Sequence, residues 1–284
     1  MKLILTLVPA IAWGALPLAV SRIKSNPRNQ IFGTAVGALL VGLLTVLVVR
    51  PAVTTTDFML GMVAGAFWVL SQVGQYNAYQ AIGVARTMPL STGLQLIGTT
   101  LIGVIIFGEW HSAAAKLLGF MGILLLVLGI VLTSVQQSTQ TTGRGHQAVV
   151  TLVLTTIGYW VYSAIPKVAS TSGIALFLPE AVGMVLAVLI YLLVTHNFKV
   201  IKEPASWQTM IAGVFFSIGA IAYIYSVSLN GVNIAFVVSQ LSVVISTLGG
   251  LLFLHEARHG RALVLTLLGL GLIVVGAVLT TVIK

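Results

Sequence analysis

Thr92, Gln95, Thr99 and Gly103 fall at i, i+3, i+7 and i+11 inside the apolar run TMPLSTGLQLIGTTLIGVIIFGEW, residues 87–110. That spacing puts three hydrogen-bonding side chains and a glycine on one face of a helix. Adding 147 to each number gives Ser239, Ser242, Ser246 and Gly250 in AFVVSQLSVVISTLGGLLFLHE, and carries Glu109 onto Glu256. Two copies of one polar-faced helix in an apolar chain suggest a pathway between two halves. Amides and hydroxyls both donate and accept, so such a face suits a ligand with many hydroxyl groups.

The other polar groups at membrane depth are mostly neutral: Gln72, Gln75, Asn77, Gln80 and Gln240, with Ser and Thr between them. Aromatic residues Trp13, Trp68, Tyr76, Tyr159, Trp160, Tyr162, Tyr223 and Tyr225 are interleaved. Their flat faces match the C–H face of a sugar ring, although interface belts and core packing use the same residues. An anionic substrate would call for buried Arg or Lys. Only Arg86 and Lys167 come near, and both fall close to helix ends, where long side chains reach toward water. In the resulting site Gln75, Asn77 and Gln95 bond hydroxyls, Trp13 and Trp160 stack on the ring, and Thr92 and Ser239 complete the cavity. Pro17, Gln72, Pro89, Thr99, Tyr223, Gln240 and Ser242 join them as candidate substrate contacts.

Of five acidic residues, Asp57, Glu109, Glu203 and Glu256 lie at expected helix ends or in loops, and Glu180 lies several residues inside a span. Hydrocarbon penalises a carboxylate heavily, so an intramembrane Glu is a candidate for carrying a proton. The bland alternatives are a protonated hydrogen-bond donor or a partner for Lys167. His255, Glu256 and His259 formally match the zinc-protease pattern H-E-x-x-H, but the run straddles a loop, meets Gly260, and keeps only Glu109 in its second copy. An intramembrane metalloprotease is therefore a remote reading, and Glu109 and Glu256 are expected to brace the turn into the next helix. No Walker-type phosphate loop is present. No metal or cofactor is expected, nor an enzyme.

These residues need elements to hold them. The chain has 284 residues, 58% hydrophobic and 7% charged, with mean hydropathy +1.09, which excludes a soluble domain with a charged surface. Its apolar runs break into about ten segments of spanning length, near 2–20, 31–50, 58–77, 84–107, 113–134, 147–169, 174–194, 207–226, 232–254 and 262–282. The runs are continuous, unlike the alternating segments of a membrane barrel. The fold class is all-α, a polytopic protein of the cell membrane with the lipid bilayer as its solvent. Net charge +9 is spread over short loops, so nucleic acid is not an expected partner. Absence of Cys excludes disulfides and thiolate metal sites. The first segment lacks a cleavage pattern and reads as a retained helix. Arg22, Lys24, Arg28, Arg86, Arg144, Lys199, Lys202, Arg258 and Arg261 fall on one side, against Lys2, Arg50, Lys116, Lys167 and Lys284. The positive-inside rule then puts both termini outside.

Residues 135–147, VQQSTQTTGRGHQ, form a polar linker. They divide the chain into halves, 1–134 and 148–284, of five helices each. At the offset of 147, Tyr76 meets Tyr223, Thr100 meets Thr247, Gly122 meets Gly269, Gly129 meets Gly276 and Thr133 meets Thr280. Trp13 and Pro17 resemble Tyr162 and Pro166. An odd number of spans inserts the second half upside down, and such inverted repeats mark secondary transporters with a midplane site. A duplicated scaffold without transport is the competing reading, but it has no use for facing polar stripes.

Trp13-Gly14 with Pro17, NQIFGTAVGAL at 29–39, TMPLSTGLQL at 87–96 and FGEW at 107–110 resemble the glucose/ribose porter family of sugar uptake proteins, within the drug/metabolite transporter superfamily. The resemblance covers essentially the whole chain. It implies ten helices, sugar import with protons, and a central cavity lined by the first, third, fourth, sixth, eighth and ninth helices. The matching motif positions are Trp13, Pro17, Gln75, Pro89, Thr92 and Gln95. The partners implied are a small neutral sugar of the ribose or glucose type and protons. Uniport and symport both fit, oligomeric state stays open, and export of amino acids, nucleosides or drugs is the alternative within the superfamily.

Overall fold

Every apolar run long enough to cross a bilayer must satisfy its own backbone, and the helix does so within a single segment. The computed structural model describes residues 2–108, 110–134, 143–171, 173–256 and 260–282, and among them no strand occurs. Ten helices are long and apolar enough to span, in order: Leu5–Arg22, Pro27–Val49, Thr55–Ile82, Val84–Ile105, Ala113–Thr133, Gly143–Lys167, Gly173–Val194, Pro204–Asn230, Ile234–Phe253 and Gly260–Thr280. They are the first to tenth spans below. The polar runs at 135–142 and 257–259, with Glu109 and Lys284, lie outside the described residues. Residues 143–147, expected in the linker, are instead the opening of the sixth span. GRGHQ forms the opening turn of the span, where its free N–H groups can meet water, so its polarity does not delay the start.

Local chemistry sets the ends. Asn26 accepts from Arg28 N at 2.9 Å and Asn29 N at 3.1 Å, while Asn29 Oδ1 accepts from Asn26 N at 2.9 Å. That reciprocal cap starts the second span four residues before its apolar run. The third span outlasts its expected end at 77 and continues to Ile82, where Gly83 turns the chain at φ 80°, ψ 164°. Gly231 does the same after the eighth span at φ 81°, ψ 161°. Only glycine adopts this region without strain. Each of these glycines joins two spans with no loop between them. At 28 residues the third span is roughly 42 Å long by helical rise, so it tilts or projects beyond an apolar layer of about 30 Å.

Three spans are interrupted. The sixth breaks after Thr155, resumes at Ile157–Ala164 and tightens to a 3-10 turn at Ile165–Lys167 around Pro166. The eighth opens with a separate turn, Pro204–Gln208. The ninth is divided at Gln240 into Val232–Ser239 and Leu241–Phe253. Pro17, Pro89 and Pro179, by contrast, stay within continuous helices.

The packing is reciprocal. The first span packs on the eighth and ninth, and the sixth packs on the third and fourth. The third lies on the seventh and the second on the eighth. The fifth and tenth form a seam of their own. There a Cβ on Gly122 would stand 3.0 Å from Gly276 O, and one on Gly129 would stand 2.6 Å from Gly269 O. Gly269 and Gly276 are the counterparts of Gly122 and Gly129 at the offset of 147. Each glycine therefore meets the other's counterpart. Small residues let these backbones approach, as membrane helices require.

The core joins both halves through Ile31, Tyr76, Phe177 and Met184. Leu44, Leu47 and Val48 of the second span are exposed, Val48 to 82%, which is the surface expected against lipid. Chain order puts Arg22, Lys24, Arg28, Arg86, Arg144, Lys199, Lys202 and Arg261 at one end of the bundle, called here the basic end.

Candidate substrate site

Gln72 and Gln75 lie three residues apart and share a buried face of the third span, 4% and 5% exposed. Tyr159 Oη, from the broken sixth span, stands 2.6 Å from Gln72 Oε1 and 3.0 Å from Gln75 Oε1. Gln75 Nε2 donates to Ser91 Oγ at 2.9 Å, and Gln95 Nε2 donates to the same oxygen at 3.1 Å. The third, fourth and sixth spans are thus tied by one chain of amides and hydroxyls. Every partner in it is an amide, a hydroxyl, a backbone group or the Met88 thioether.

Two indoles bridge the halves, and that of Trp160 lies beside Gln95. Trp160 Nε1 donates to Leu94 O at 3.1 Å, and the ring covers Gly98, where a Cβ would collide with it. Trp13 Nε1 donates to Phe216 O at 3.1 Å, and its ring centroid is 5.8 Å from that of Tyr223. Each N–H is bonded to a carbonyl of the opposite half. A half-buried indole fixed in this way keeps ring surface for apolar contact.

Tyr162 Oη donates to Glu180 Oε2 at 3.3 Å. It ties the buried Glu180, 7% exposed, to the sixth span, three residues after Tyr159. Lys167 Nζ sits 4.9 Å from the Phe107 ring centroid.

Some expected contacts stand apart. Asn77 Nδ2 donates to Val73 O at 2.8 Å in its own helix. Two residues from Gln75 is about 200° around a helix, so Asn77 leaves the shared face. Thr99 Oγ1 bonds Gln95 O at 2.8 Å, and Ser239 Oγ bonds Phe236 O at 2.7 Å. Gln240 Nε2 is 3.4 Å from Ser239 Oγ at the break of the ninth span. Thr92 and Ser242 are buried, as are Pro17 and Pro89.

The profile of the sugar transport protein family matches residues 4–283. The chain belongs to this family. A relative in Lactobacillus johnsonii named "Putative sugar uptake protein" is 48% identical, with 99% of each chain covered. Another of that name in Lactiplantibacillus plantarum is 41% identical over the whole of both chains. A "Putative ribose uptake protein" of Latilactobacillus sakei is 35% identical, covering 100% of this chain and 99% of that one. A crystal structure covering 99% of this chain and 96% of its own matches with TM-score 0.63 at 17% identity, which shows a shared fold.

This sugar transporter is a multi-pass protein of the cell membrane. Its acidic residues at span ends reach across the bundle. The Glu256 carboxylate, expected to brace the turn into the tenth span, is engaged by the fourth. Its Oε1 accepts from Val84 N at 2.6 Å and its Oε2 from Ala85 N at 2.8 Å, capping the fourth span of the other half. The first free N–H groups of a helix are strong partners for a carboxylate, wherever it comes from in sequence. Asp57, opening the third span, accepts from Ser170 N at 3.1 Å and Ser170 Oγ at 2.6 Å. Glu203, opening the eighth span, accepts from Asn29 Nδ2 at 2.7 Å. Asp57 and Glu203 therefore do the same work in the two halves. Glu180 is different, because its counterpart at the offset of 147 is Gly33.

Proposed function

We propose that the transporter imports a neutral monosaccharide of the ribose or glucose type together with a proton, by alternating access of two inverted five-span halves. The observation that carries the substrate class is the chain Tyr159, Gln72, Gln75, Ser91 and Gln95. Its amides and hydroxyls can exchange partners with sugar hydroxyls, and a bound anion would find no cation among those bonds. Trp13 and Trp160 supply the ring faces, and Thr92, Tyr223 and Ser242 add to the wall, whereas Thr99, Ser239 and Gln240 bond within their own helices. The names of the relatives, sugar uptake and ribose uptake, support the same class.

Inversion is supported by the crossed glycine seam and the exchange of packing partners between halves. Glu109 and Glu256 match at the offset of 147, Asp57 and Glu203 match one residue short of it, and Glu180 has no acidic twin at either spacing. A costly carboxyl that the symmetry does not require is the group assigned to the proton. It bonds Tyr162, three residues after Tyr159 in the sixth span, and through that span occupancy and protonation can influence one another.

Purified protein titrated with ribose, glucose, ribose 5-phosphate and an amino acid tests the substrate class. Heat of binding or thermal stabilisation is expected with a free sugar and not with the phosphate or the amino acid. Preference for either charged compound would overturn it.

A further inference from the structure

Glu256 binds the fourth span across the boundary between the halves, and it does so at the basic end. Beside it, a Cβ on Gly250 would stand 2.9 Å from Ala85 N, so the fourth and ninth spans touch backbone to backbone there. Arg22 at the end of the first span lies 5.8 Å from the ring centroid of Phe253. The burial of the two polar-faced helices changes along their length. From Val84 to Gly93 every residue but Arg86 is buried, whereas Gln95, Thr99 and Thr100 are partly exposed. In the ninth span Ser242, Ser246, Thr247, Gly249 and Gly250 are buried, whereas Phe236, Val237 and Gln240 toward the other end are partly exposed. The space between these helices is sealed at the basic end.

From these observations we propose that Glu256 is the gate residue of that end. Its carboxylate latches the first turn of the fourth span to the ninth and must let go before the site opens there. This rests on the alternating-access reading above. A latch of two charge-assisted bonds to backbone N–H is well suited to the task. It is strong enough to favour one state, and water can replace both partners on release, so no buried group is stranded. Gly83 is part of the device. Its φ of 80° turns the chain so that the two N–H groups face outward, and a Cβ there would lie 2.6 Å from Glu256 Oε2.

The chain has no cysteine, so a single Ser246→Cys reports opening of the sealed half by its rate of maleimide labelling in lipid nanodiscs. Slow labelling is expected in the parent, about fivefold or faster in Glu256→Ala on the scale of a lost helix cap, and an intermediate rate in Glu256→Asp. Gly83→Ala should reproduce the Glu256→Ala rate, and the double variant should add nothing. If Glu256→Ala fails to fold, Glu256→Asp and Gly83→Ala carry the comparison. Unchanged labelling in folded variants with lower melting temperatures would make Glu256 a structural cap and overturn the gate. The labelling needs no sugar. A shift with Glu256→Ala that no added sugar modulates supports the gate and counts against the substrate reading, while modulation by ribose or glucose without any effect of Glu256 counts against the gate alone.

Discussion

Tyr159 Oη stands 2.6 Å from Gln72 Oε1, and the two residues belong to different halves of the chain. A phenol has one proton, so the second amide oxygen, from Gln75 at 3.0 Å, shares it. The bond holds two glutamines of one face of the third span in register with the sixth span.

Removing that hydroxyl leaves two buried carbonyl oxygens short of a donor. Tyr159→Phe is expected to weaken sugar binding by about 1–3 kcal/mol, the scale for an orphaned buried acceptor, while the maximal transport rate changes less. Uptake kinetics measure both. An unchanged half-saturation would show that Tyr159 does not position the site.

Glu180→Gln keeps the shape of the side chain and a carbonyl to accept from Tyr162, and abolishes the ionisable group. Accumulation driven by an imposed pH gradient is expected to disappear, while sugar counterflow, which needs no net proton movement, persists. Gradient-driven accumulation at the parent level would remove Glu180 from coupling.

At the seam of the fifth and tenth spans, Gly129 faces backbone, with Gly269 O only 2.6 Å from where its Cβ would be. Gly129→Leu should therefore force the helices apart and cost about 1–3 kcal/mol, as overpacking does. A melting temperature equal to the parent's would show that the seam yields freely.

Inversion of the halves predicts opposite exposure for equivalent positions. Lys24 follows the first span and Thr171, at the offset of 147, follows the sixth. With membrane-impermeant reagents on right-side-out and inverted vesicles, Lys24→Cys should label from the cytoplasm and Thr171→Cys from outside. Labelling of both from one side contradicts the topology.

The ten spans were legible because lipid demands long apolar runs and the chain supplies them. Their ends were less so: polar ends such as Gln80 stay helical, since a helix satisfies its own backbone up to the glycine that stops it. In the site, Gln72, Gln75 and Gln95 stand in one bonded chain, and Ser91, four residues before Gln95, could have been read from helical spacing. Tyr159 could not be found by the repeat, because its counterpart is Ala12. Asn77 has the same amide chemistry as Gln75, but two residues along a helix it points nearly the opposite way. The acids at span ends bond to partners more than a hundred residues away, and for Glu256 these are backbone amides, which carry no sequence signal. The shared angles of Gly83 and Gly231 lie at an offset of 148 rather than 147, so a fixed offset passes over them.

Uptake of labelled ribose and glucose into liposomes containing the purified protein, with and without an inward proton gradient, decides whether the protein is a proton-driven sugar importer. Saturable entry of at least one of these sugars is expected, concentrated inside only when the gradient is present. Entry no faster than into empty liposomes for both sugars, under either condition, would contradict it.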